Sequence, residues 1–252
     1  ASMVCCNALF MTLSCTRGGV LTPTVSATRS CVPPSCGPGR FPVVSDVRAS
    51  LRLGELNLDF QLSSGDRVLV VTIGVFGERF VDLVRAYGGE PVHVAFDYGT
   101  VADSNRIDEV LAADGDIRAV CVTHNETSTG VCNPLPEISR AVRDASPDTL
   151  ILVDTVSGLG GAELRFDEWG LDLAFAGTQK CLALPPGLCV FAISERALEQ
   201  VSDIPDRGFM LDFERLSKGL ATGRTIATPC IPLVFALSRQ LDRIAKEGLS
   251  NR

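Results

Sequence analysis

An aspartate and a lysine stand where two apolar segments of the chain end. Asp154 closes the run LILVD at 150–154, and Lys180 follows the apolar run 171–176 within GTQKCLALPPG. A carboxylate at the end of a buried strand needs a partner, which is either the following turn or a cationic ligand atom. Because uncharged, largely apolar residues follow Lys180, we expect a partly desolvated amine that can act as a nucleophile. Together the two residues predict a pyridoxal phosphate site, in which the amine holds the aldehyde and the carboxylate keeps the pyridine nitrogen protonated.

Two further segments follow predicted strands and bear on the same site. HNETSTG at 124–130 offers hydroxyl and carboxyl groups to a polar ligand, although the same residues suit a Ser/Thr-rich turn, and the sequence leaves both open. TVSGLGG at 155–161 is glycine-rich but does not fit the GxGxxG spacing of a dinucleotide site. The second segment therefore excludes a nicotinamide or flavin fingerprint at this position.

The elements that position these residues alternate between strands and helices. Helical patterns at 76–87, 106–113 and 134–145 separate several apolar runs of strand length. Those runs lie at 67–72, 92–96, 118–123, 150–154, 171–176 and 188–193. This alternation predicts an α/β fold with a mostly parallel sheet between helices. Ligands bind beyond the carboxyl ends of strands in such sheets, which is where Asp154 and Lys180 fall.

Composition limits the remaining classes of function. The chain has 252 residues, 46% of them hydrophobic, with a net charge of −7. That charge argues against a general nucleic-acid binder, and no apolar run reaches the about 18–20 residues that cross a bilayer. With two histidines and no CxxC pair, we expect no metal site. We expect a cytoplasmic protein without nucleic-acid or membrane partners.

Five cysteines are scattered singly through the chain after residue 45. We expect them to be buried as small hydrophobic side chains: Cys121, Cys132, Cys181, Cys189 and Cys230.

The first 45 residues differ from the rest because they contain no Asp or Glu. They are rich in Ser and Thr, carry Arg17, Arg29 and Arg40, and show no sustained periodicity. Three interpretations fit this composition: an organelle transit peptide, a disordered segment, or a product of a wrong reading frame or misjoined exon. We favour the last because no intact phosphate-binding start follows.

Several motifs in order carry a resemblance to a known family. They are GDRVLVV at 65–71, GVFGER at 74–79, THNETSTGV at 123–131, VDTVSGLGG at 153–161, GTQKCLALPPG at 177–187 and Thr228-Pro229. With these the chain closely resembles the class V aminotransferases of pyridoxal phosphate fold type I. Within that family it looks most like the alanine–glyoxylate and serine–glyoxylate enzymes. The resemblance covers about residues 65 to 252.

The resemblance implies a role for each matching residue. Lys180 would form the Schiff base with pyridoxal 5′-phosphate, and Asp154 would pair with its pyridine nitrogen. Val156 would pack on one face of the ring and Phe76 on the other. The three remaining implied contacts are Thr127 beside the ring, Gln179 near the phosphate, and Thr228 at a phosphate across a homodimer interface.

The implied reaction moves an amino group from alanine or serine to glyoxylate or another 2-oxo acid. The chain departs from the family in several respects, above all because no phosphate loop can be read in 51–62 and the small C-terminal domain is largely absent. We therefore expect truncation at both ends, with 1–60 an atypical segment and 61–252 the large, cofactor-binding domain. An inactive or impaired fragment remains an alternative. A class V lyase or desulfurase is another, although Cys230 lies between prolines, a poor place for a mobile nucleophile.

Overall fold

The computed structural model describes residues 63–201 and 212–252, together with three strands nearer the N-terminus. Those strands are β1 (Phe10–Cys15), β2 (Leu21–Ser26) and β3 (Val43–Ser45). Apart from them, the predicted atypical segment 1–60 lies outside the described residues. The stretch 51–62, in which the sequence shows no phosphate loop, lies outside them as well.

From residue 67 onward, strands and helices alternate as the sequence predicts. The strands are β4 (Arg67–Thr72), β5 (Glu90–Ala95), β6 (Ile117–Thr123), β7 (Asn125–Glu126), β8 (Val131–Cys132), β9 (Leu150–Asp154), β10 (Leu173–Gly177) and β11 (Leu188–Ile193). The helices are α1 (Val75–Ala86), α2 (Ser104–Ala113), α3 (Leu135–Ala145), α4 (Glu195–Val201), α5 (Phe213–Ala221), α6 (Ile231–Glu247) and a 3₁₀ turn (Leu249–Asn251). Every predicted strand is confirmed, with ends that differ by two residues at most.

One seven-stranded sheet forms the centre of the molecule, in the order β3-β11-β10-β9-β6-β4-β5. The five strands from β10 to β5 are parallel, whereas β11 runs antiparallel to β10 and β3 antiparallel to β11. The predicted mostly parallel α/β fold is therefore confirmed. Because parallel strands end at a common edge, the loops after β4, β6, β9 and β10 meet there.

The central strands are apolar throughout because both faces of the sheet are covered. Alternate residues of β6 and β9 enter two separate apolar clusters. Val120, Val122, Ile151 and Val153 belong to one cluster, and Ala119, Cys121, Leu150 and Leu152 to the other. Helix α1 covers the second cluster with Phe80, Val81 and Val84. This packing fixes the strand ends that carry the polar residues.

The cysteines follow this packing only in part. Cys121 and Cys189 are buried within β6 and β11, as expected, and Cys181 is half-buried. Cys132 and Cys230 are exposed, so the expectation of burial is wrong for them. Cys132 lies on the short strand β8 outside the main sheet, and Cys230 directly precedes α6. Within the described residues, no cluster of three or more metal-binding side chains is present, and no helix is long and apolar enough to cross a membrane.

Candidate active site

Asp154 lies at the carboxyl end of β9, paired in register with Thr123 of β6 and Phe175 of β10. Its Oδ1 accepts a hydrogen bond of 2.7 Å from the backbone N–H of Val156, so it does cap the following turn. Burial nevertheless raises the pKa of Asp154 to about 6; the Val156 N–H opposes this shift, and the nearby Glu126 carboxylate adds to it. A carboxylate held in this way is stabilised by a cationic partner. The site thus suits a protonated pyridine nitrogen.

Lys180 lies in the loop after β10, at the same edge of the sheet. Its positive charge, like that of Arg79, favours the ionised form of Asp154. The side chain is exposed, which differs from the partly desolvated pocket expected from the apolar residues that follow it. Of the residues that follow it, Leu182 is buried and Leu184 packs against the core, whereas Ala183, Pro185 and Pro186 are exposed. The apolar residues after Lys180 therefore do not enclose the amine.

Hydrogen bonds join the loops that follow β6, β9 and β10. Thr127 donates from Oγ1 to Ser157 Oγ at 2.9 Å, and Ser157 Oγ donates to the carbonyl of Asn125 at 2.8 Å. Cys181, next to Lys180, donates from Sγ to the carbonyl of Ser157 at 3.3 Å. The segment 124–130 is indeed a turn, since β7 and β8 pair across it, but that turn also brings Thr127 beside the Asp154 loop.

Buried polar atoms without a partner collect at this edge. Within the described residues there are five such side-chain atoms, and three of them, on Thr123, His124 and Gln179, lie at the ends of β6 and β10. Burial lowers the pKa of His124 to about 4, so its ring is neutral near pH 7. Since buried polar groups are normally hydrogen-bonded, this concentration indicates a place for a polar ligand. The unpartnered Oε1 of Gln179 can only accept a hydrogen bond, so a phosphate near Gln179 would be bound through the side-chain NH₂ group.

Phe76 lies half-buried in the first turn of α1, where its backbone N–H donates to Glu126. The Arg79 guanidinium lies 4.6 Å from the centre of the Phe76 ring. Arg79 and Ser157 were not predicted as site residues, and nothing in the sequence marks them individually. Glu126 was predicted only as the carboxyl group of the segment 124–130, without a role.

The structure does not bring all the predicted cofactor-binding residues into contact with one another. Val156 is half-buried and packs against the apolar cluster beneath α1, close to Asp154 in sequence and space. Thr228 is exposed in the loop before α6. Within the part of the chain that is described, no hydrogen bond joins Thr228 to the other predicted site residues, and its role across a dimer interface stays a prediction.

The mostly parallel sheet, with a lysine and an aspartate at its carboxyl edge, is the architecture of pyridoxal phosphate-dependent aminotransferases. Residues 49–251 match the class V aminotransferases, and the chain belongs to that family. It is 41% identical over 205 residues to an uncharacterized aminotransferase of Methanocaldococcus jannaschii, covering 79% of this chain and 53% of that one. It is 36% identical over 204 residues to the serine–glyoxylate aminotransferase of Methylorubrum extorquens, covering 78% and 51%.

The fold is also similar to that of a solved aminotransferase structure. The alanine–glyoxylate aminotransferase of Nostoc sp. superposes with a TM-score of 0.75 at 32% identity, over 84% of this chain and 55% of that one. The chain spans about half the length of the curated relatives it matches. Membership of this family implies pyridoxal 5′-phosphate as the cofactor. The unpartnered polar atoms and the raised pKa of Asp154 fit that group.

Proposed function

We propose that residues 61–252 form the cofactor-binding domain of an aminotransferase that moves an amino group from alanine or serine to glyoxylate or another 2-oxo acid. One observation carries the proposal: three loops at the carboxyl edge of the sheet are hydrogen-bonded together beside Asp154, Lys180 and three unpartnered polar atoms. The serine–glyoxylate and alanine–glyoxylate enzymes among its relatives support this choice of substrates. A cytoplasmic location stays a prediction.

Asp154 and Lys180 divide the chemistry between them. Bound pyridoxal phosphate supplies an electron sink for the electrons released at the substrate α-carbon. Asp154 would pair with the pyridine nitrogen and hold the proton there. Lys180 would hold the group through its aldehyde, and its amine would be the base that moves a proton at the substrate α-carbon. An exposed amine is accessible to both the cofactor and the donor.

The other predicted residues orient the cofactor. We assign Val156 and Phe76 to the two faces of the ring and Thr127 to its edge. Gln179 faces the phosphate, and its room depends on Gly177, since a Cβ there would lie 2.4 Å from Gln179 Oε1. Thr228 would reach the phosphate of a partner subunit in a homodimer.

An inactive chain that binds the cofactor is the second candidate, because the exposed Lys180 lacks the partly desolvated surroundings predicted for a nucleophilic amine. A desulfurase has less support, because such an enzyme needs a cysteine on a flexible loop. Cys230 precedes α6 directly, and the proline after it lies in the first turn of that helix.

The visible spectrum of the purified chain with pyridoxal phosphate, before and after borohydride, tests the proposal. For the wild type we expect an absorption band that disappears when borohydride reduces it. The band should be absent from Lys180→Ala and present in the matched control Lys246→Ala. Added serine or alanine should then change the band, and glyoxylate should restore it. A folded chain without a reducible band contradicts the proposal, whereas a reducible band that no amino donor changes identifies the inactive chain that binds the cofactor.

A further inference from the structure

The buried carboxylate of Glu126 is the strongest feature that the proposed chemistry does not use. We propose that Glu126 is a positioning residue that fixes Phe76 and the N-terminus of α1 against the cofactor ring. This inference rests on the proposed function, since it concerns the same site. It assigns no chemical step to Glu126, which acts through the groups that it holds.

Both oxygens of Glu126 are engaged, and the residue is fully buried. Oε2 accepts from the backbone N–H groups of Phe76 at 3.1 Å and Gly77 at 3.0 Å. Oε1 accepts from the backbone N–H of Ser128 at 3.1 Å and from its hydroxyl at 2.6 Å. The Ser128 hydroxyl also accepts from the N–H of Val75 at 3.0 Å. Glu126 and Ser128 thus hold three successive N–H groups at the start of α1.

The start of α1 needs such an acceptor because its own residues supply none. The first N–H groups of a helix have no partner within the helix, and its dipole favours an anion there. Gly74, which precedes the helix, has no side chain to cap it. A Cβ at Gly74 would lie 2.4 Å from Glu126 Cγ, so the glycine is what lets the carboxylate approach. The cap comes from a residue 50 positions away, which ties the loop after β6 to α1.

This tie fixes two groups that we assign to the cofactor. Phe76 lies in the turn that the carboxylate holds, and Arg79 lies on its ring at 4.6 Å from the centre. Arg79 covers one face of this ring, and we assign the opposite face to the cofactor. Thr127, the residue after Glu126, is held to Ser157 at 2.9 Å. A shift of Glu126 would therefore move a ring-stacking group and a ring-edge group together.

Glu126→Gln is the variant that tests the inference, because it keeps the size of the side chain but turns an NH₂ group towards N–H donors. We expect faster hydrogen exchange at the Phe76 and Gly77 amides. We also expect the Kd for pyridoxal phosphate to rise about ten- to a hundredfold, the factor expected for a lost hydrogen bond to a charged group. Asp103→Ala is the matched control. It removes the cap of α2, where Asp103 Oδ1 accepts from Asn105 N at 2.9 Å, and should leave both measurements at Phe76 and on the cofactor unchanged.

A double-mutant cycle separates positioning from general loss of structure. If Glu126 acts through Phe76, Glu126→Gln should weaken binding much less in a Phe76→Ala chain than in the wild type. Equal effects in both backgrounds overturn the inference, and so does unchanged amide exchange in Glu126→Gln. Should Glu126→Gln fail to fold, Ser128→Ala removes only the hydroxyl of the same network. It should accelerate exchange at Val75 and raise the Kd by a smaller factor, and no change at either would equally overturn the inference.

Different results overturn the proposed function and the positioning role of Glu126. A folded wild-type chain that binds no pyridoxal phosphate overturns the proposed function, and with it the role of Glu126 towards the cofactor. A wild-type chain that binds the cofactor while Glu126→Gln binds it equally well overturns the positioning role alone.

Discussion

Two aspartates lie at opposite edges of the same sheet and have opposite surroundings. Asp172 precedes β10 at the amino edge, where it is almost fully buried and accepts from the backbone N–H of Ile151 at 2.8 Å and from the Ser194 hydroxyl at 2.8 Å. The guanidinium groups of Arg143 and Arg196 complete its shell at 2.5 and 2.6 Å. Asp154, at the carboxyl edge, accepts from the Val156 N–H at 2.7 Å and faces a neighbouring carboxylate.

The hydrogen-bond partners of the two carboxylates differ because Asp172 stabilises the fold, whereas Asp154 has surroundings that suit a ligand. Asp172 has donors enough for both oxygens, and its two arginines tie α3 and α4 to the sheet. Within the part of the chain that the structure describes, the Val156 N–H is the one hydrogen-bond donor to the Asp154 carboxylate, and burial raises the pKa of Asp154 to about 6. Perturbed groups of this kind are concentrated at functional sites. Asp172 is buried and Asp154 half-buried, and their hydrogen-bond partners show what each carboxylate does.

The largest expected effect is at the amino edge. Asp172→Asn should lower the free energy of unfolding by about 3–5 kcal/mol, because it leaves two partly buried guanidinium groups without an anion. Urea denaturation measures this loss. The matched control is Glu168→Gln, which removes an exposed carboxylate 3.1 Å from Arg165 and should change stability by less than about 1 kcal/mol. Equal losses in the two variants would contradict the stabilising role of Asp172.

The corresponding change at the carboxyl edge should have the opposite sign. Without cofactor at about pH 8, Asp154→Asn should raise the free energy of unfolding by about 2 kcal/mol, because it removes a charge that burial disfavours. The same variant should weaken pyridoxal phosphate binding at least about tenfold, since a neutral amide cannot pair with a protonated ring nitrogen. Urea denaturation and cofactor titration provide the two measurements. A variant that is less stable and binds equally well would mean that Asp154 resembles Asp172.

The pH dependence sharpens this contrast. The pKa of Asp154 is about 6 in the folded chain, against 3.8 for an aspartate free of the fold. Between these two pH values the folded chain therefore binds a proton that the unfolded chain does not. The wild type should therefore lose stability relative to Asp154→Asn as the pH rises from about 4 to 6, with a constant difference above that range. A difference that does not vary with pH would contradict the raised pKa.

The smallest expected effect concerns the loop contact beside Lys180. Cys181→Ala removes a weak thiol donor to the Ser157 carbonyl, so we expect a loss of less than about 1 kcal/mol in urea denaturation. Cys132→Ala, at an exposed position, is the control and should have no measurable effect. A loss comparable to that of Asp172→Asn would show that the carboxyl edge is held as firmly as the amino edge.

The strands were predictable because burial on both faces makes a central strand apolar at every position. β9 matches its predicted bounds, whereas the edge strand β5 begins two residues before the run 92–96, at the exposed Glu90. The positions of Asp154 and Lys180 followed from the same pattern, since each comes directly after a strand. The exposure of Lys180 did not follow, because it depends on which way the next residues fold.

The order of strands and helices, the family, and the polar residues at the strand ends can be read from the sequence, because these depend on local composition and on motifs along the chain. Which polar groups find hydrogen-bond partners depends on the tertiary structure. Two of the four hydrogen bonds to the Glu126 carboxylate come from Phe76 and Gly77, 50 and 49 residues away. The two arginines that pair with Asp172 lie on the separate helices α3 and α4. Such pairings form only when the strands align into one sheet. They distinguish the amino edge, where Asp172 stabilises the fold, from the carboxyl edge, where Asp154 lies in the candidate site.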